Sequence, residues 1–134
     1  MKYFGIKLLL FVFLGVACAS LAGCIGYERL TVINAIMRMK QIREAEAKYH
    51  QANGEFASIA ELSKNASIPR QLQDGEDMNY RFDLEIHSEG YSVNACPLSD
   101  TGSCLFMDQT GIIRASLSWT KRANANSMAI EDQQ

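Results

Sequence analysis

Four cysteines (Cys18, Cys24, Cys96, Cys104), two histidines (His50, His87) and the carboxylates Asp74, Glu76 and Asp77 are the residues of this 134-residue chain on which chemistry could be built. A structural zinc site needs four ligands at compatible spacing. Cys96 and Cys104 have seven residues between them and only two distant histidines to join them, which does not supply one. A redox-active dithiol is expected as C-x-x-C, and this pair is not one. The acidic run matches none of the ligand positions of a calcium loop and reads as a solvated turn. There is no G-x-S-x-G, no glycine-rich phosphate loop and no metal triad. His50, near a helix end, and His87, in a turn, read as surface histidines in preference to general bases. Tyr49 and Phe56 read as core residues in preference to a ligand box. These residues point away from an enzyme and from any metal or dissociable cofactor, and leave covalent roles for the cysteines.

What precedes Cys24 defines the first such role. Lys2 and Lys7 charge the amino end, and Leu8 to Ala19 (LLLFVFLGVACA) carries no charge, which is the layout of a secretory signal. That run is short of the roughly 20 apolar residues a spanning helix needs. Leu21-Ala22-Gly23-Cys24 resembles the lipobox of bacterial lipoproteins. The resemblance implies a diacylglyceryl group on the Cys24 sulfur, removal of residues 1–23 as a lipoprotein signal peptide, and acylation of the new amino end. Two or more acyl chains, each burying methylenes at about 0.8 kcal/mol apiece, hold a protein on a membrane without a spanning helix. Ile25 stands where an aspartate would follow the cysteine, and similarity to enteric lipoproteins then implies the outer membrane, facing the periplasm. The alternative is an uncleaved or soluble secreted protein with a chance cysteine.

Cysteine arithmetic assigns the remaining pair. With Cys18 removed in the signal and Cys24 lipidated, Cys96 and Cys104 are left in an oxidising compartment and read as a disulfide. Closing that nine-residue loop contributes about 2.6 kcal/mol in the loop-entropy model. The covalent stabilisation matters because a mature chain of 111 residues, 134 less 23, supports one modest core. Loss of Lys2 and Lys7 leaves eleven basic residues against fifteen acidic ones, a net charge of −4. A mildly acidic chain of this kind lacks the basic face of a nucleic-acid binder and has no juxtamembrane basic run.

The elements that must position these groups can be read from periodicity. Leu30 to Asn53 contains no Pro or Gly, and Met39, Ile42, Ala45, Tyr49 and Ala52 fall at spacings of three and four, predicting an amphipathic helix about 35 Å long that stops at Gly54. Val32, Ile33, Ile36 and Met37 spread further round its cylinder. Ser58 and Glu61 form a capping-box pattern for a short helix over 59–64. Residues 65–77 read as a connecting loop. Tyr80, Phe82, Leu84 and Ile86 then alternate with polar residues, as do Tyr91, Val93 and Ala95, predicting an antiparallel hairpin with one wet face. A third strand over 104–107, a turn at Asp108-Gln109-Thr110-Gly111 and a fourth strand over 112–114 follow. CLFM alone does not say which face of the third strand is buried. Residues 115–134, with Trp119, read as a flexible polar tail.

The order of parts, with IREAEAKYHQANGEF (42–56), GYSVNACP (90–97) and FMDQTGIIR (106–114), resembles type IV pilins and type II secretion pseudopilins. The resemblance implies an α+β fold in which the long amino-terminal helix packs against a three- to four-stranded antiparallel sheet, here over residues 24–114. Gly23 and Glu28 stand at the spacing of the pilin cleavage glycine and its glutamate, but the apolar segment lies before the glycine, not after it. The expectation is a non-enzymatic, lipid-anchored envelope protein with a pilin-like head. Its partners would be the membrane and other envelope, pilus or secretion proteins, with neither nucleic acid nor a small-molecule substrate. Two alternatives stand beside it: a lipoprotein that binds or inhibits a soluble target through the loop PLSDTGS, and a pseudopilin processed at Gly23.

Overall fold

A computed structural model describes the backbone of residues 4–65, 67–116 and 122–130, with side chains from Arg29 onward. The chain divides into two units, Met1–Leu30 and Thr31–Gln134. The first is helical backbone from Phe4. Among the described residues, the second holds the remainder of helix α1 (Phe4–Asn53), helix α2 (Ile59–Lys64), a 3-10 turn (Arg70–Asp74) and six strands: β1 (Glu76–Asp77), β2 (Tyr80–His87), β3 (Gly90–Pro97), β4 (Leu105–Asp108), β5 (Ile113–Ala115) and β6 (Met128–Ala129). The strands form one antiparallel meander in the order β1-β2-β3-β4-β5-β6.

This corrects the expected three- to four-stranded pilin-like arrangement. The two added strands have two residues each, too short to show an alternation in sequence. β1 forms inside the expected 65–77 loop because Leu72 is fully buried and Gly75, at φ 77°, turns the chain back along β2. Asp77 of β1 also accepts from Arg38 of α1 at 2.6 Å in a largely buried ion pair. β6 arises in the segment read as a polar tail. The backbone N–H of Ile130 donates to the Ile113 carbonyl at 2.8 Å, and Arg114 Nη1 donates to the Ser127 carbonyl at 3.1 Å. Trp119 lies outside the described residues.

The core face of α1 is Ala35, Met39, Ile42 and Ala45, residues three and four apart that stand one above another on a helix. They join Phe82, Tyr91, Val93, Ala95, Leu105, Met107 and Ile113 in one buried cluster. Tyr49 packs at its margin and Ala52 is exposed, so the stripe ends one turn earlier than the sequence spacing predicts. Ile33 and Met37, on the opposite side of the helix, are exposed. α1 stops where expected: Gly54, at φ 76°, donates its N–H to the His50 carbonyl at 2.8 Å. The capping serine also acts as expected, Ser58 Oγ accepting from the Glu61 N–H at 3.3 Å.

β4 resolves the orientation left open by its sequence, with Leu105 and Met107 inward and Phe106 and Asp108 partly exposed. β3 departs further from expectation. The predicted wet face is covered, since Ser92 and Asn94 are buried along with Tyr91, Val93 and Ala95. On this side of the sheet, Arg122 Nη2 donates to Asp83 Oδ2 at 2.6 Å and Arg122 lies near Glu85, the cross-strand partners of Asn94 and Ser92.

Ile42→Ala is expected to lower unfolding free energy by about 2–5 kcal/mol through the transfer and cavity terms, measured by urea denaturation. Gly111→Ala should cost about 1–2 kcal/mol, because Gly111 sits at φ 79° and an added Cβ would lie 2.9 Å from Arg43 Nη1.

Candidate functional site

The sequence-derived site residues separate into distinct places. Cys24 lies within α1, and its side chain is outside the described residues. Cys96 and Cys104 are joined in a disulfide with Cα atoms 4.2 Å apart, tying the end of β3 to the start of β4. The acidic run is dispersed into ion pairs: Glu76 accepts from Arg81 and Asp77 from Arg38, both at 2.6 Å. His87 Nε2 lies 3.0 Å from Ser92 Oγ. The ring of His50 stacks on Phe56 at 4.4 Å, and Phe56 leans on Tyr91 at 5.3 Å. No group of three or more His, Cys, Asp or Glu among the described residues has the geometry to hold a metal ion. No helix among them is long and apolar enough to cross a membrane.

The disulfide loop is the best-built surface feature. It is fastened to the β1–β2 turn along its length: the Leu98 N–H donates to the Asn79 carbonyl at 2.9 Å, Asn79 Nδ2 donates to Ser99 Oγ at 3.1 Å, and the Tyr80 hydroxyl donates to the Ser103 carbonyl at 3.1 Å. The β1–β2 turn itself is the two residues Met78 and Asn79, both left-handed at φ 49° and 64°. Hairpin turns of this class require positive φ at both positions and favour Asn-Gly. A methionine there carries steric strain that glycine would not. Met78 is half-exposed there, beside a loop that holds Leu98 half-exposed as well. Asp100 is exposed on the disulfide loop as well. Such an arrangement has little loop entropy left to lose on binding and offers apolar area to a protein surface.

One buried polar centre is not among the residues singled out from the sequence above. Glu46 is fully buried on the core side of α1, adjacent to Ala45. Its Oε2 accepts from the Ala57 N–H at 3.1 Å, holding the connection between α1 and α2, while its Oε1 has no hydrogen-bond partner. Burial raises its carboxyl above the ordinary range, opposed in part by the Ala57 hydrogen bond and by His50. Tyr91 shares the seam, its phenol pushed up to about 12 by burial and then by the charge of Glu46. The available signal was position: Glu46 lies seven residues after Met39 and four after Ile42, which puts it on the core stripe.

Because the folded pKa of Glu46 is raised, its protonated form favours folding below the unfolded value of 4.5, and that contribution is lost as pH rises through the folded value. Glu46→Gln keeps an acceptor for Ala57 and removes the ionisation. Its stability should therefore fall less than the wild type's between about pH 4 and pH 7 in urea titrations. Met78→Gly should raise stability by roughly 0.5–1 kcal/mol by relieving the left-handed methionine. No family model, curated protein or solved structure matches this chain, so the assignment of this surface stands on its own geometry.

Proposed function

We propose that this chain is a non-enzymatic, lipid-anchored envelope protein whose folded head works through contacts with other proteins. The observation that carries the reading is the tetrapeptide Leu21-Ala22-Gly23-Cys24, placed directly after a charged amino end and an uncharged run. Acyl chains on Cys24 would hold the mature protein on the periplasmic face of the envelope, and Ile25 favours the outer membrane over the inner. The role that fits is structural or accessory within an envelope or secretion assembly.

A second reading is supported by the disulfide loop: a lipoprotein that captures or inhibits a soluble periplasmic protein. In favour of it are Leu98 and Met78, large apolar side chains held half-exposed on two connections that are hydrogen-bonded to each other.

Intact mass of the membrane-extracted protein should show a diacylglyceryl adduct on a chain that starts at Cys24, and Cys24→Ser should move the protein to the soluble fraction. An unmodified sulfhydryl on a soluble mature chain would remove the anchored reading. For the second reading, the partners captured by the wild type should be lost when residues 97–103 are scrambled between the two cysteines, and also in Met78→Gly. An unchanged partner set would exclude that loop as the contact.

A further inference from the structure

Strand β2 is flanked unequally. On one side β3 pairs with it along its whole length, from Tyr80 opposite Pro97 to His87 opposite Gly90, without a bulge. On the other side β1 reaches only Tyr80 and Arg81, and just beyond it the Phe82 N–H donates to the Gly75 carbonyl at 2.6 Å. From Asp83 to His87 no strand lies against this edge among the described residues.

The register fixes where the backbone groups of that stretch point. Successive residues of an antiparallel strand turn their N–H and C=O alternately to one neighbour and to the other. Tyr80 faces Asp77 across the two-residue turn and Phe82 bonds to Gly75, so these residues direct their backbone groups to the β1 side. By the same alternation Leu84 and Ile86 direct their N–H and C=O groups out of the sheet, while Asp83, Glu85 and His87 bond to Asn94, Ser92 and Gly90 of β3. Apolar surface accompanies the open groups: Ile86 is 48% exposed and Leu84 is only partly buried against the core. Natural sheets protect a free edge with lysine, proline, a bulge or short length. β2, YRFDLEIH, uses none of these.

The charge beside this edge is acidic. Asp83 and Glu85 alternate with Leu84 and Ile86, Arg122 lies near both carboxylates, and Glu89 is exposed in the turn that follows. That sign argues against a second copy of the chain as the occupant. The antiparallel register that engages Leu84 and Ile86 of both copies sets Glu85 opposite the Glu85 of the other copy, and like charges directly opposite are destabilising.

We propose that the open edge of β2 accepts an extended segment of another protein as an added strand, a segment in which apolar residues beside Leu84 and Ile86 alternate with lysine or arginine beside Asp83 and Glu85. Main-chain hydrogen bonds give such an addition its affinity, and the alternate side chains give it specificity. The surface occupies the end of β2 away from the disulfide, which lies beside Tyr80 and Pro97, and it requires nothing of Cys24.

The test titrates the full chain in detergent with a synthetic octapeptide alternating valine and lysine, and with the same peptide carrying glutamate for lysine, read by calorimetry and by amide hydrogen exchange. The lysine peptide should bind saturably with a Kd of about 1 mM or below and the glutamate peptide at least severalfold more weakly. Binding should slow exchange of the Leu84 and Ile86 amides, which point outward in the free chain. Ile86→Pro removes one outward donor and no β2–β3 bond, and should weaken binding about tenfold while the β3 and β4 amides stay protected. Glu85→Lys, an exposed change, should reverse the preference between the two peptides. The proposal is overturned if the lysine peptide fails to bind at about 1 mM, if it binds without protecting Leu84 and Ile86, or if Glu85→Lys leaves the preference unchanged. A dimer in sedimentation that Ile86→Pro abolishes would place a second copy on the edge and overturn it as well.

Discussion

Everything described in the second unit depends on one apolar seam, the face of α1 formed by Ala35, Met39, Ile42 and Ala45 set in a common cluster with the inward residues of β2 to β5. A single helix cannot bury its stripe alone, and a single sheet cannot bury its inner face. Each supplies the other's cover. The fully buried Met39, Ile42, Val93, Leu105 and Met107 each contribute roughly 1.5–3 kcal/mol of transfer free energy, which makes the seam the largest favourable term. Once it forms, the polar ties around it act at fixed geometry: Arg38 to Asp77 at β1, the Arg43 side chain beside Gly111, and Glu46 to Ala57 at the α1–α2 connection.

The seam also explains where polarity becomes costly. Glu46 enters the buried region because its backbone position on α1 faces the cluster, and only one of its two oxygens finds a donor. Asn94 is buried on the other face of β3, and its Oδ1 is likewise without a partner. Ser63 is the third such group.

The disulfide and the strained hairpin turn serve a different end from the core. They lie at one end of the sheet and stiffen two adjacent connections, holding Leu98 and Met78 in solvent where the hydrophobic effect would otherwise drive them inward. Rigidity there is consistent with a contact surface, because ordering a loop on binding costs free energy that this loop has largely given up on folding.

Much of the local structure was legible in the chain itself. The stop of α1 at Gly54, the serine cap of α2, the β2–β3 hairpin and the pairing of Cys96 with Cys104 follow from glycine's access to left-handed backbone, side-chain capping, period-two alternation and a cysteine count, all short-range signals. The six-stranded sheet, the burial of both faces of β3, and the siting of Glu46 and Ser63 were decided only by tertiary structure. Two-residue strands such as β1 and β6 have no period of their own and exist because a partner edge is already in place. Whether a polar residue such as Asn94 is wet depends on what packs over its face in the folded chain, which no local pattern encodes.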